Sequence, residues 1–332
     1  MGTNAVKIYD CTSNTVSKEM NMIAVKDQDT VYAVGNQAFE LFERTPEDLQ
    51  IISPMKNGRI QDVLMMEAIL HLLMKKVGRF VGTIPVLYFS VPLDMTELER
   101  RAYSTIARKG RFRHSRIFFV EKPIADALSI GIPIHRTSGT MIINIGSQCS
   151  EVSVIAEGKV LITRQIEYGG QMLSTAIAGS VRQRNGLQIS RRTAQRLKFS
   201  VPNILDIPKE GYPVEGIDTS TGLPSNELVS ARTVAYSIRA VLSEIANELV
   251  RLMDRMPPQI RAGIKENGIF LTGGCTNING LTEYFRGRLD YPVYCSEHHE
   301  YETVQGLKQI IDHSELRHWA MIPEKRKNRF EQ

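Results

Sequence analysis

Cysteine is scarce in this 332-residue chain, with four residues (Cys11, Cys149, Cys275 and Cys295) spaced 138, 126 and 20 positions apart and no Cys-x-x-Cys pair. That spacing excludes a disulfide framework and a finger-type zinc site, and it fits a reducing cytoplasm. No window approaches 18 uninterrupted apolar residues, so a transmembrane helix is not expected. Met1-Gly2-Thr3-Asn4 carries no basic region leading into an apolar stretch, and no signal peptide is expected. No single-sign charge block dominates either: 41 Lys and Arg against 36 Asp and Glu give a net charge of +5, with the basic residues scattered. An anionic partner is permitted but not demanded. No aromatic interleaving of basic residues favours a nucleic-acid partner.

What is there reads as globular. A hydrophobic fraction of 42% and a charged fraction of 23% exclude wholesale disorder. At about 100–200 residues per domain the length points to two domains, with no low-complexity linker between them. Strand and helix patterns alternate, which favours an α/β architecture. Short strands are expected over residues 4–9, 20–25 and 30–34. A stripe of Met65, Ala68, Ile69, Leu72 and Leu73 predicts a helix over 62–77. The apolar run 86–91 predicts a strand covered on both faces, and Thr96-Glu97-Leu98-Glu99 is a capping box opening the next helix. A strand over 117–120 follows, with Pro123 at the start of a helix.

The second half repeats the style. Residues 141–145 and 151–155 form a hairpin around Gly146-Ser147-Gln148-Cys149. Gly169-Gly170 precedes a helix to about Arg184, and Ser190 caps another through Lys198. The longest helix runs from about Ser230 to Met256, where Pro257-Pro258 stops it. Residues 268–274 read as a strand and a glycine turn. Placed together, the segments beginning Gly2-Thr3-Asn4 and Gly146-Ser147-Gln148 share a design of glycine, hydroxyl residue, small polar residues and an alternating strand. Such turns can aim backbone amides and a hydroxyl at a phosphate, and two of them could clamp a nucleotide; alone, either is an ordinary glycine hairpin.

Six further segments carry a resemblance. These are 53–60 (Ser-Pro-Met-Lys-Asn-Gly-Arg-Ile), 91–102 (Val-Pro-Leu-Asp-Met-Thr-Glu-Leu-Glu-Arg-Arg-Ala), 121–125 (Glu-Lys-Pro-Ile-Ala), 192–198 (Arg-Thr-Ala-Gln-Arg-Leu-Lys), 216–224 (Gly-Ile-Asp-Thr-Ser-Thr-Gly-Leu-Pro) and 271–274 (Leu-Thr-Gly-Gly). In that order and spacing, over about residues 1–310, the chain resembles the MreB family of bacterial actin-like cell-shape proteins. The resemblance implies an actin-like, RNase-H-like α/β fold: two similar domains around a nucleotide cleft, each with a small insertion. The implied boundaries are 1–137, with 308–332 returning to it, and 138–307. The implied nucleotide is ATP, faced by Thr3 and Asn4 from one half and Gly146, Ser147 and Gln148 from the other. Gln195 and Lys198 are expected at the ribose, and Gly273, Gly274, Cys275 and Thr276 under the adenosine.

The departures from that pattern bear on chemistry. The family's magnesium-ordering aspartate in the second hairpin is Asn144, a neutral amide that a hard cation disfavours. Its catalytic carboxylate falls at Lys122, which cannot polarise water as a carboxylate does but can pair with phosphate. Ser147-Gln148 replace a glycine run and crowd the loop, and Gln195 stands for a glutamate. ATP binding is therefore expected to persist with weak or no hydrolysis, Mg²⁺ is poorly served, and no catalytic or metal-ligating residue is assigned. The first hairpin's aspartate and leading strand would fall before Met1. Several further N-terminal residues, apolar and ending in Asp, are expected there, with a natural truncation as the alternative.

Three other stretches have bland readings beside the functional ones. Glu297-His298-His299-Glu300 invites a metal, but adjacent residues point apart and a solvated loop is expected. Phe80 and Val81, flanked by Lys75, Lys76 and Arg79, occupy the place of the family's apolar membrane loop and could dip into an anionic bilayer, or be an ordinary turn. The basic tail around Lys325-Arg326-Lys327 reads as solubilising. The expected function is a cytoplasmic filament subunit, peripheral at the inner membrane face, self-associating and organising the cell-wall elongation machinery and cell shape. The rivals are a nucleotide-independent actin-like scaffold, favoured by Asn144 and Lys122, and an active ATPase or sugar kinase of the superfamily. A kinase needs a substrate-activating carboxylate in the cleft, and none is placed for it.

Overall fold

Alternating side chains and tight turns build the first sheet elements of the chain. The computed structural model describes residues 1–27, 30–42, 48–77, 84–108 and 112–323. It divides into unit 1, residues 1–129 with 303–332, and unit 2, residues 130–302.

In unit 1, β1 (Ala5–Asp10) pairs antiparallel with β2 (Thr15–Met20). Strand β2 falls outside the strands expected from the sequence, since it is polar and buries only Met20, its last residue. A small three-stranded sheet follows, with β3 (Ile23–Lys26) between β4 (Thr30–Val34) and β5 (Leu49–Ile52), and α1 (Asn36–Leu41) packed on it. The short strands β6 (Met55–Lys56) and β7 (Arg59–Ile60) make a hairpin.

Helix α2 (Val63–Val77) buries Met66, Ile69, Leu70, Leu73 and Met74, the stripe its periodicity predicts but rotated toward Met66. Strand β8 (Val86–Val91) is parallel to β9 (Arg116–Glu121). Its alternation serves two cores: Phe89 and Val91 pack with α2, Tyr88 with Val120 and Ile310 on the other face. Between them, α3 (Glu97–Ala107) opens on the predicted capping box, with Thr96 accepting from Glu99 N and Glu99 accepting from Thr96 N. Helix α4 (Lys122–Ile130) begins one residue before Pro123.

Unit 2 is built on one five-stranded sheet. Strands β10 (Thr140–Ile145), β11 (Ser150–Ala156) and β12 (Lys159–Ile166) are antiparallel. After α5 (Gly170–Asn185) comes β13 (Leu187–Gln188), then α6 (Arg191–Ser200), capped by Ser190 as its sequence predicts. Strands β14 (Gly211–Asp218) and β15 (Pro224–Ser230) join β13 in a small separate sheet. Helix α7 (Ala231–Asp254) buries its apolar face against α5 and the sheet. Pro257-Pro258 ends α7, yet Pro258 also starts α8 (Pro258–Asn267), since proline suits a first helical position. Strand β16 (Ile269–Thr272), helix α9 (Leu281–Leu289) and β17 (Val293–Cys295) complete the order β12-β11-β10-β16-β17. Finally α10 (Glu302–Asp312) packs on α4, with Gly306 directly against the Ala125 carbonyl. Among the described residues no helix is long and apolar enough to cross a membrane.

Candidate functional site

In unit 2 the residues predicted around a nucleotide are brought together by four elements. The turn between β10 and β11 is closed by Gly146 N donating to Cys149 O at 3.0 Å. Two carbonyls of this turn receive the first amides of α5: Gly170 N donates to Gly146 O at 2.9 Å and Gln171 N to Ser147 O at 2.7 Å. The Gln171 side chain adds a bond from Nε2 to Ser147 Oγ at 3.2 Å. The fit is close enough that a Cβ on Gly169 would stand 2.7 Å from Cys149 N and from Gln148 C, both backbone atoms. Glycine is required there because the turn and the helix start touch through their main chains.

From α6, Lys198 reaches beneath that helix start. It is buried, and its Nζ donates to Gly170 O at 3.0 Å and reaches Ser174 Oγ at 3.5 Å. Burial pushes its pKa down, and the neighbouring Cys275 sulfur pulls it partly back. Burial likewise pushes the Cys275 thiol up, against the pull of Lys198. Cys275 lies in the 3₁₀ turn 274–277 and donates Sγ to Gly146 O at 3.5 Å. Gly273 enters this turn at φ +94°, and a Cβ on it would meet Ile145 O at 2.6 Å. Gly274 is half-buried, with the Glu300 side chain 3.9 Å from where its own Cβ would stand. Gln195, also on α6, is half-buried. The predicted residues Gly146, Ser147, Lys198, Gly273 and Cys275 thus form one interlocked group with Gly170, and Gln148 lies in its turn.

Thr276 extends it. Its Oγ1 donates to Gly273 O at 2.7 Å and lies 2.9 Å from His299 Nδ1, with Cys295 Sγ 3.5 Å from the same nitrogen. The expectation of a solvated 297–300 loop is corrected here. Glu297 and His298 are exposed, but His299 is half-buried and its carbonyl accepts from Gly273 N at 3.1 Å. The loop has folded under the glycine turn because Thr276 gives its imidazole a partner. Among the described residues no group of His, Cys, Asp and Glu is arranged to hold a metal ion.

Thr3 and Asn4 belong to unit 1. Gly2 N donates to Ala5 O at 3.0 Å, so their turn closes as the Gly146 turn does. The Thr3 hydroxyl is buried and accepts from Gly58 N at 2.8 Å, leaving its proton to donate elsewhere. Asn4 O accepts from Asn21 N at 2.9 Å, and Asn4 Nδ2 faces Met20 Sδ at 4.0 Å. Also in unit 1, Lys122 opens α4 and follows Glu121 at the end of β9. Burial pushes the Glu121 carboxyl up, with Arg100 opposing. In unit 2, Asn144 Nδ2 donates to Thr272 Oγ1 at 2.8 Å. Phe80 and Val81 lie outside the described residues.

Comparison with known proteins bears on what this group of residues serves. The profile of the MreB/Mbl protein family matches residues 1–318. The chain belongs to the MreB/Mbl family. Similar members include the cell shape-determining protein Mbl of Bacillus subtilis strain 168, 28% identical over 300 residues and 90% of each chain. The cell shape-determining protein MreB of Escherichia coli K12 is 28% identical over 306 residues, covering 90% of this chain and 87% of that one. Among solved structures, MreB5 of Spiroplasma citri bound to AMPPNP superposes with a TM-score of 0.86 at 22% identity over 94% of each chain. A subunit of the MamK double helical filament does so with a TM-score of 0.76 at 18% identity, over 94% of this chain and 97% of that one. The MreB/Mbl fold of this chain is therefore the actin-like one.

The sequence singles out neither Gln171 nor Ser174, and it offers Thr272 only as part of a motif, although Gln171 directly follows the Gly169-Gly170 pair and Thr272 stands inside Leu271-Thr272-Gly273-Gly274. His299 reads as part of a solvated loop because its partner Thr276 lies 23 residues away.

Proposed function

We propose that this chain is a filament subunit of the MreB type that binds ATP and turns it over slowly. The observation that carries the reading is the interlock of the Gly146 turn with Gly170, Lys198 and Cys275, in a chain of a family whose member MreB5 of Spiroplasma citri has been solved with AMPPNP and with ADP. Gly146, Ser147 and Gln148 hold the phosphates, and Thr3 and Asn4 offer the same kind of turn in unit 1. Gly273, Gly274, Cys275 and Thr276 support the adenosine. Gln195 takes the ribose, and the buried Lys198 braces the start of α5 from below.

Hydrolysis is slow because Asn144 is neutral and Lys122 is cationic where water activation calls for carboxylates. Subunits associate head-to-tail, since only a heterologous contact extends into an open filament. The polymer lies peripherally on the cytoplasmic face of the inner membrane, where Phe80 and Val81 make contact, and positions the cell-wall elongation machinery for cell shape. The related Mbl and MreB proteins are cell shape-determining, and MamK forms a filament, which supports this reading.

A second reading, a nucleotide-independent scaffold, draws on the Ser147 and Gln148 side chains in the turn and on α5 amides already committed to turn carbonyls. Calorimetric titration with ATP, with and without Mg²⁺, separates the two. Saturable heat that changes little with Mg²⁺ is expected. No binding at millimolar ATP would favour the scaffold.

A further inference from the structure

The loop that leaves β17, residues 296–301, is fixed at both ends. Ser296 N donates to Leu271 O at 3.0 Å, which prolongs the parallel ladder of β16 and β17 by one bond. Tyr301 N donates to His298 O at 2.8 Å, and His298 N donates to Oε1 of the buried Glu302 at 2.9 Å. Between these anchors His299 stands at φ +48°. That is the left-handed region, uncommon for a residue with a side chain and kept only where the surroundings hold it.

What holds it is the Gly273 peptide, gripped from both sides. Gly273 N donates to His299 O at 3.1 Å. Gly273 O accepts from Thr276 Oγ1 at 2.7 Å, and that hydroxyl lies 2.9 Å from His299 Nδ1. Thr276 has given its one hydroxyl proton to Gly273, so its oxygen can only accept from the ring. His299 Nδ1 therefore carries a proton. Cys295 Sγ lies 3.5 Å from the same nitrogen but has an acceptor of its own, Ser296 O, at 3.6 Å.

The three bonds close a circuit in which each residue donates to the next. It runs from the Gly273 amide to the His299 carbonyl, from the His299 ring to Thr276, and from the Thr276 hydroxyl back to the Gly273 carbonyl. Bonds linked in this way polarise and strengthen one another. The circuit also has little room to shift, because Gly273 at φ +94° lies against the Ile145 main chain, just before the Gly146 turn.

We propose that His299 is a positioning residue of the nucleotide site. Its ring N–H, acting through Thr276, fixes the Gly273 peptide and with it the 3₁₀ turn 274–277 that supports the nucleoside. This role rests on the nucleotide reading given above. The left-handed backbone of His299 is the strain that the placement requires.

The chemistry of the circuit ranks the replacements. Asparagine accepts the left-handed region, and Asn14 and Asn57 of this chain already take it at φ 51° and 49°. Its Nδ2 stands as many bonds from Cα as the imidazole Nδ1 and donates as Nδ1–H does. Glutamine carries its amide one bond too far out. Glycine frees the backbone of strain and keeps the bond from Gly273 N, so it lacks only the ring.

Calorimetric titration with ATP and hydrogen exchange of the ligand-free protein, both on the full chain, compare these variants. His299→Asn should keep most of the ATP affinity. His299→Gln and His299→Gly should each bind ATP about tenfold more weakly, the size of one hydrogen bond. In the ligand-free protein the Gly273 and Thr276 amides should exchange faster in those two variants and stay protected in His299→Asn. His299→Gly, relieved of strain, should lose more in affinity than in its urea midpoint, which a merely structural role would not produce. Retained ATP binding with His299→Asn and His299→Gly equal in affinity and exchange would overturn the role of His299 alone. An unmodified chain that binds no ATP would overturn the nucleotide reading and this role with it.

Discussion

Asn144 donates its side-chain amide to Thr272 Oγ1 at 2.8 Å, across the parallel junction of β10 and β16. An aspartate there could accept from the same hydroxyl, so the junction does not need the amide. The Lys122→Glu, Asn144→Asp double variant should therefore fold and release phosphate from ATP about 10²–10⁴-fold faster than the unmodified chain. Equal rates in a phosphate-release assay would show that these two positions do not limit turnover.

Two glycines, Gly169 capping α5 and Gly179 in its middle, should respond in opposite directions. Gly169→Ala places its Cβ 2.7 Å from main-chain atoms of Gln148 and Cys149, which cannot swing aside. It should cost about 1–3 kcal/mol and abolish ATP binding. Gly179→Ala, on the exposed face of α5 with nothing within 4 Å, should gain about 0.4–1 kcal/mol and leave binding unchanged. Urea denaturation of both variants checks the pair.

Lys198 should leave a signature at alkaline pH. Burial depresses its folded pKa below the unfolded value of about 10.4. Between those two values the unfolded chain binds more protons, so stability from this group rises with pH across that window. In Lys198→Met the rise should vanish, so the Tm of the unmodified chain should gain on the variant's as pH rises through that window. Parallel Tm curves from pH 8 to 10.5 would place the lysine in contact with water.

Local chemistry was legible where it involves neighbours in sequence. The Thr96–Glu99 box and the Ser190 cap need only spacing, and each stands in the structure as read; the α2 stripe keeps Ile69 and Leu73 but turns toward Met66, Leu70 and Met74. The polar β2 and the start of α8 on Pro258 were obscure, because an edge strand has little to bury and a proline pair both ends and begins helices. In the candidate site, glycine turns were visible as motifs. Their interlock was not, since Gly170, Lys198 and Cys275 meet across more than a hundred residues.

The proposed membrane contact is tested by replacing Phe80 and Val81 with Ser, which should lower sedimentation with anionic liposomes at least about tenfold. The loss should be larger at high salt, where Lys75 and Lys76 are screened. Unchanged binding would move the contact elsewhere, the basic tail being next in line.

High-speed sedimentation of the purified chain with ATP, with electron microscopy of the pellet, tests the account most directly. A pellet that appears above a threshold protein concentration, holding filaments of head-to-tail subunits, is the expected result. A chain that stays in the supernatant as a monomer at every concentration, with ATP bound, would contradict it.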